Sequence, residues 1–557
     1  MRAPRILIAL GLAALATACG GERRAPAGPP AEPVDSASVM RARLLTGEQY
    51  EAAVAAVFGA DVAGAVVPPV PPTPRVDGLA ASGAALVGVS PDQLQQVQIA
   101  AAVIAEKAID EDHRGFLVPC APEDPTKPDD ACATAFLGAA GRLWFRRPLE
   151  PDALEAYAAA AAYGAELLDD FYAGLGLALE GMLASPEALY IIDRPHPDDA
   201  GLPRPRLDAY SLASRLSFFL WNGPPDARLL DAAQSGALLD PAARAGIVDA
   251  MLESPRIEEG VRAFFDDMLH FDEFATLAKD PSVYPALTGA TLADAREQTL
   301  RTVVDHLIVQ DRDYRDLFTT RETFVSPDLA AVYETPTTKG WRRHVFPEDG
   351  LRRGVISHVS FLAAHAHPSR SSATLRGKAL REIFLCQTIP DPPPNVDFSN
   401  LEEPDPTVRT ARGRLRIHNE NPSCAGCHKL MDPVGLAMEN FDGGGRYRAT
   451  EDGAALDTSG ELDGVVYDDI RGLASALRDH PALSECLVER MYAYASGGPL
   501  SGRRDWPMTE YLEAEFVAGG HRLPALMRTI ALSETFARGR APEAADGATM
   551  AALEQGS

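Results

Sequence analysis

The run Cys424-Ala425-Gly426-Cys427-His428 constrains this chain more than any other feature. Two thiols at i and i+3 lie on the same face of a helical turn, and a histidine directly after the second completes the attachment signature of a c-type haem. Both sulfurs can then meet the two vinyl groups along one porphyrin edge. His428 comes under the ring and can offer an axial nitrogen to the iron. The same pair could instead be a redox dithiol, a local disulfide or half of a zinc site completed by His418 and His428. Against zinc, the adjacent Cys427 and His428 would struggle to point at one tetrahedral ion, and no second Cys-x-x-Cys exists.

Haem is attached in this way only after export, and the N-terminus carries export features. Arg2 and Arg5 precede an apolar stretch from Ile6 to Ala16 that is too short to span a bilayer comfortably, and Ala16-Thr17-Ala18-Cys19-Gly20 follows. The pattern looks like a bacterial lipoprotein signal, cleaved before Cys19 with lipid on its sulfur. Leu15 lies one position further from the cysteine than a lipobox prefers, so plain secretion stays as the alternative. Glycines and prolines between Gly20 and Pro33 predict a flexible tether. The expected location is the cell envelope, periplasmic or outer-membrane associated, with the membrane met only through the lipid anchor.

Of the seven cysteines, Cys19 is assigned to lipid and Cys424 and Cys427 to haem, which leaves Cys120, Cys132, Cys386 and Cys486. In an oxidising compartment these four are expected to pair. Cys120 with Cys132 is the natural local bridge, and Cys386 with Cys486 follows by elimination, with four buried free thiols as the alternative.

A length of 557 residues and a hydrophobic share of 46% allow several domains with sizeable cores. The formal net charge of -27 argues against a nucleic-acid partner, which would be repelled. A redox partner in the envelope, or a small-molecule electron donor or acceptor, fits better. Apolar residues at spacings of three and four predict helices over Tyr50–Phe58, Leu94–Ile109, Pro151–Leu168, Phe171–Leu183, Leu207–Trp221, Ile247–Leu269 and Leu292–Val309. Pro- and Gly-rich breaks fall at 67–76, 121–129, 194–206, 335–350 and 389–406. No alternation supports a large sheet, although short strands fit Asp457–Val466.

The fold class expected is mainly α: several helical subdomains followed by a C-terminal cytochrome-c-like haem module with short strands. The expected order is a signal peptide over 1–19, a flexible tether over 20–40 and an N-terminal helical module over 41–110. A disulfide-containing helical module over 111–200, a central helical module over 201–340 and a linker with the CxxCH module over 341–450 follow. A C-terminal helical module over 451–540 and a disordered tail over 541–557 complete it.

Several segments carry a family resemblance. Arg43-Leu44-Leu45-Thr46-Gly47-Glu48-Gln49-Tyr50, Cys132 followed by Arg142 to Leu149, and Ser214 to Trp221 with Pro225-Asp226 are three of them. Arg376-Gly377-Lys378, the run from His418 through His428, Met431-Asp432-Pro433 and Glu439 to Arg446, and Cys486 with Tyr492 to Ala495 are the others. Together they resemble the multi-module envelope proteins of unknown function of planctomycetes and myxobacteria, which end in a planctomycete-type cytochrome-c-like module. The resemblance implies a helical, haem-bearing envelope protein and no particular substrate. Gly497-Gly498-Pro499 departs from it, standing where a glycine-arginine pair is usual.

The sixth ligand would decide what the iron can do. Met491, Met438 and His418, with His365, His367 and His480 behind them, or an open position, are the candidates. Asp432 and the Glu439-Asn440-Phe441-Asp442 run can hold the imidazole from its far side or serve as helix caps and loop anchors. The run Asp457 to Gly464 has oxygen donors without EF-hand spacing and is taken as a turn, calcium being the alternative. Arg146 and Arg147 are taken as ordinary ion pairs, with an anion or propionate as the alternative. The Gly-rich phosphate loop, the Gly-x-Ser-x-Gly elbow and the His-Glu-x-x-His helix are all missing. The expected function is a monohaem c-type cytochrome-like protein, transferring electrons or accepting them within an oxidoreductase. A haem-free scaffold or binding lipoprotein, with the CxxCH run as a disulfide or zinc site, is the competing class, and a haem peroxidase with an open sixth position is the third.

Overall fold

Helix starts are written into the sequence as caps. Thr46 and Gln49 form a reciprocal capping box for the helix Gly47–Phe58, and Ser90 with Gln93 does the same for Pro91–Ile109. Proline at the first helical position, where its missing amide hydrogen costs little, opens Pro151–Leu168 and Pro481–Ser496. A computed structural model describes residues 31–33, 36–337, 339–390, 408–420 and 422–541. The signal peptide with Cys19, most of the tether, most of the proline tract and nearly all of the expected tail lie outside the described residues.

The chain is mainly helical, with strands only as short two-stranded pairs among the described residues. Ala42–Leu44 runs antiparallel to Tyr190–Ile192, which ties the start of the body to the end of its second helical stretch. Ser38–Val39 lies parallel to Gly539–Arg540 and brings the two ends of the body together. The strands expected near Asp457–Val466 form a hairpin, Gly460–Leu462 against Val465–Tyr467. Among the described residues no helix is long and apolar enough to cross a membrane.

Two large hydrophobic cores hold these elements. The first gathers Tyr50, Phe58, Ile104, Phe136, Trp144, Phe171 and Leu179. The second spans Leu216, Phe219, Phe264, Val303, Phe384, Val434, Phe441, Leu487 and Ile530, so apolar faces far apart in sequence share one interior. The helix Ala209–Trp221 is buried at nearly every position, which explains its apolar and small-residue composition.

Two helical expectations are corrected. The stretch Ile247–Leu269 is two helices, Pro241–Leu252 and Ile257–Met268. Pro255 falls between them, where it lacks an amide donor and steers the preceding residue out of the helical region. The helix Gly289–Val304 gives way to a wider π turn over Asp305–Val309. The bridges Cys120–Cys132 and Cys386–Cys486 are both formed, and Cys424 and Cys427 are free.

Candidate functional site

Cys424, Cys427 and His428 lie on the helix Pro422–Leu436, so the two thiols do share a helical face. Leu430 follows Cys427 by the same three-residue step and is exposed, as is Ile417 on the neighbouring helix Ala411–His418. A side chain built on Gly426 would meet open space. Cys424 is buried and Cys427 half-buried.

What positions His428 is the packing beneath it. The helix Ala373–Phe384 crosses Pro422–Leu436 at backbone distance, because a Cβ on Gly377 would fall 1.9 Å from the Met431 carbonyl and one on Gly435 1.6 Å from that of Ala373. That approach brings Thr374 Oγ1 within 2.8 Å of Asp432 Oδ1, to which it donates. Asn419 Nδ2 donates to Asp432 Oδ2 at 3.1 Å. His428 Nδ1 lies 3.1 and 3.0 Å from the two Asp432 oxygens. Asp432 itself is buried. Of the two readings of the acidic residues, Asp432 follows the one in which a carboxylate holds the imidazole, and it sits inside a helix that continues through Pro433 rather than in a turn.

The other acidic residues anchor loops. Glu439 accepts from Ser371 and Arg448, and Asp442 accepts from the amides of Gly444 and Arg446. Arg376, fully buried, donates to the carbonyls of Leu362, Met438, Phe441 and Asp442 and lies 3.6 Å from Glu439. It welds the loop after the CxxCH helix to the helix beneath it.

The ligand candidates separate clearly. Met438 and Met491 are buried in the larger hydrophobic core, a cluster that includes neither Cys424 nor Cys427. His480 caps the helix Pro481–Ser496 and pairs with Asp463. His365 packs its ring on Phe361. His418 alone among these candidates has a ring contact with His428, edge-on at 4.6 Å between ring centres. Imidazoles on opposite sides of one metal, each bonded at about 2.0 Å, would have centres roughly 6 Å apart or more. His418 therefore flanks His428 instead of facing it, and burial, with His428 beside it, holds its imidazole below the ordinary value.

Other candidate sites resolve structurally. Among the described residues no three His, Cys, Asp or Glu side chains converge as a metal ion would need. In the run from Asp457, the carboxylate accepts from the amide and hydroxyl of Ser459, while Asp463 pairs with Arg381 and His480. Arg147 forms the expected ion pair, with Asp208 at 3.1 Å. Arg146 corrects the expectation: it is buried, and its two terminal nitrogens donate to the carbonyls of Trp144, Glu187, Ala188 and Tyr190 instead of to a carboxylate.

Away from the thiols, motif segments that are distant in sequence meet at a cleft. Glu48, Asn222 and Asp266 line both of its lobes, of about 930 and about 430 Å³. Gln49 Nε2 donates to Asn222 Oδ1 at 2.9 Å, and Tyr494 donates to the same oxygen at 3.3 Å. Arg296 pairs with Asp266. Burial raises the carboxyl pKa of Asp266 and of Asp267 above the usual range, against their arginine partners. A cleft at a junction of modules, lined mainly by apolar surface with a few converging polar side chains, is a common setting for small-molecule binding. Sequence reasoning had the segments but not their meeting place. It also missed Thr374 and Asn419, although the i, i+4 spacing of His428 and Asp432 was readable.

The residues fit a covalently held haem. Two free thiols share a helical face, open space at Gly426 and exposed aliphatic side chains adjoin them, and the imidazole of His428 is held through Nδ1 by Asp432.

Five families match successive stretches of the chain, each described as a protein of unknown function. They are DUF1587 over residues 43–110, DUF1595 over 132–193, DUF1592 over 207–335, DUF1588 over 352–451 and DUF1585 over 463–536. The DUF1588 family, which contains the CxxCH run, has the short name PSCyt3. Comparison with curated proteins and with solved structures gave no match. The chain is therefore a multi-module protein of the planctomycete type, built from these five unknown-function domain families in this order.

Proposed function

We propose that this chain is an envelope-anchored, monohaem c-type redox protein, exported by its N-terminal signal and lipidated at Cys19. One observation carries the reading: free Cys424 and Cys427 share a helical face beside an imidazole whose Nδ1 is held by Asp432. Cys424 and Cys427 would hold haem c as thioethers. Each S–H adds across a vinyl double bond, sulfur to one carbon and hydrogen to the other, so no group leaves and no oxidant is consumed. His428 would supply the axial nitrogen. Bound in this way, the haem supplies one-electron chemistry. The protein's own part is to fix the imidazole, to shield one side of the site with the helix Ala373–Phe384, and to leave Leu430 and Ile417 as apolar cover. An electron donor or acceptor from the envelope is the expected partner, and the cleft around Asn222 is where a small-molecule donor would bind in the oxidoreductase version.

The test is a pyridine haemochrome spectrum of protein made together with cytochrome maturation factors. Covalent haem absorbance in the wild type, absent from C424S/C427S, is the expected result. Colourless matured protein with a Cys424–Cys427 bridge or stoichiometric zinc would favour the haem-free scaffold instead.

A further inference from the structure

We infer that Asp432 is a positioning residue that fixes His428 as the Nδ1–H tautomer and strengthens Nε2 as a donor to a metal. The inference rests on the haem reading above. A neutral imidazole has one N–H and one lone pair, and the hydrogen bond at one nitrogen decides which nitrogen remains free. The group facing Nδ1 is a carboxylate, which only accepts, so the hydrogen belongs on Nδ1 and the lone pair on Nε2.

Asp432 cannot simply swing away from this task. Thr374 and Asn419 donate to its two oxygens, and the glycine contacts at 377 and 435 lock Thr374 against it. A carboxylate behind a ligating imidazole raises its basicity, which favours the oxidised over the reduced metal and lowers the reduction potential. A structural role alone, a buried Asp bracing two helices, predicts neither a fixed tautomer nor an effect of charge on potential.

Two variants separate these. D432N keeps an acceptor and removes the charge, while D432A removes both. In haem-free C424A/C427A protein labelled with 15N-histidine, the His428 ring signals, assigned through H428Q, are expected to show Nδ1–H in the parent and in D432N. In D432A they should show a mixture. A mixture or an Nε2–H form in the parent overturns the inference, whether or not the wild type takes haem. In the haem-loaded protein, D432N is expected to shift the oxidised/reduced equilibrium about tenfold toward reduction, a rise of about 59 mV for one electron. An unchanged potential in D432N, with an unchanged visible spectrum, overturns it too. Failure of the haemochrome assay with a fixed Nδ1–H tautomer would instead remove the haem reading and uphold the orientation.

Discussion

Replacing Arg376 by methionine should loosen the segment that follows the CxxCH helix more than any surface change could. The guanidinium is 0% exposed and satisfies the carbonyls of Leu362, Met438, Phe441 and Asp442 while facing Glu439. Methionine fills much of the volume but donates nothing, so four carbonyls lose a donor and Glu439 keeps only Ser371 and Arg448. Breaking a buried charge pair from one side typically costs about 3–5 kcal/mol, most of it the desolvation of the groups left behind. With about 1.4 kcal/mol per tenfold, local opening of this segment should become roughly two to three and a half decades more frequent. Native-state hydrogen exchange resolves that opening region by region. Amides of residues 436–448 should exchange faster by that factor in R376M, while those of the first core, such as residues 171–183, stay unchanged. Equal protection of residues 436–448 in the two proteins would refute the argument that Arg376 holds this loop.

Other outcomes follow from the same geometry. His358 is buried among Thr299, Thr323 and Arg352, and burial lowers its pKa from 6.5 to about 3. Only the unfolded chain then takes up its proton between those values, so stability is full above 6.5, falls as the pH drops through 6.5 and levels off below 3. At pH 5 this costs about 2 kcal/mol, and H358N should lose correspondingly less stability than wild type between pH 7.5 and 5 in urea melts. Removing Cys386–Cys486, which closes a separation of 100 residues, should cost about 4.7 kcal/mol, against about 3 kcal/mol for Cys120–Cys132 at a separation of 12. Thermal unfolding of the two double-serine variants should rank them in that order, and the reverse order would contradict the chain-entropy account. Gly435→Ala drives a methyl into the Ala373 carbonyl. It should destabilise by about 1–3 kcal/mol and weaken the hold of Thr374 on Asp432, seen as line broadening of the His428 ring signals.

Local signals were the legible ones. The helix Phe171–Leu183 has the limits that its apolar periodicity predicts, and the cysteine pairs follow from compartment and elimination. Pro255 was also readable as a break, and the apolar face shifts by roughly a third of a turn across it at about 100° per residue, from Val248 and Met251 to Val261, Phe264 and Met268, so the lost phase was a second signal that spacings of three and four taken pair by pair did not register. The roles of Gly377, Gly435 and Arg376 were not legible. Each depends on a helix crossing, and a glycine in sequence does not say whose carbonyl it lies against. Arg146 shows the same limit: two adjacent arginines look alike, yet one is turned by a positive φ into a cage of carbonyls and the other pairs with Asp208.

The family boundaries and the hydrophobic cores divide the chain differently, and the difference bears on what the site can do. Leu216 and Phe264 come from the stretch matched over 207–335, Val434 and Phe441 from that over 352–451, and Leu473 and Leu487 from that over 463–536. All six belong to one core. Close-packed interiors of this kind have discrete arrangements and do not deform continuously, so the CxxCH helix does not swing as a tethered bead. Its inner face is set by Val434 and by the glycine contact with Ala373, and the cleft is set by Asn222 and Asp266, whose helices pack into the same core. Whatever Cys424, Cys427 and His428 hold is thereby kept at a fixed position relative to whatever the cleft takes in. On the proposed haem reading, electron exchange between the two would pass through the packed interior between them and would need no docking motion of one module on another.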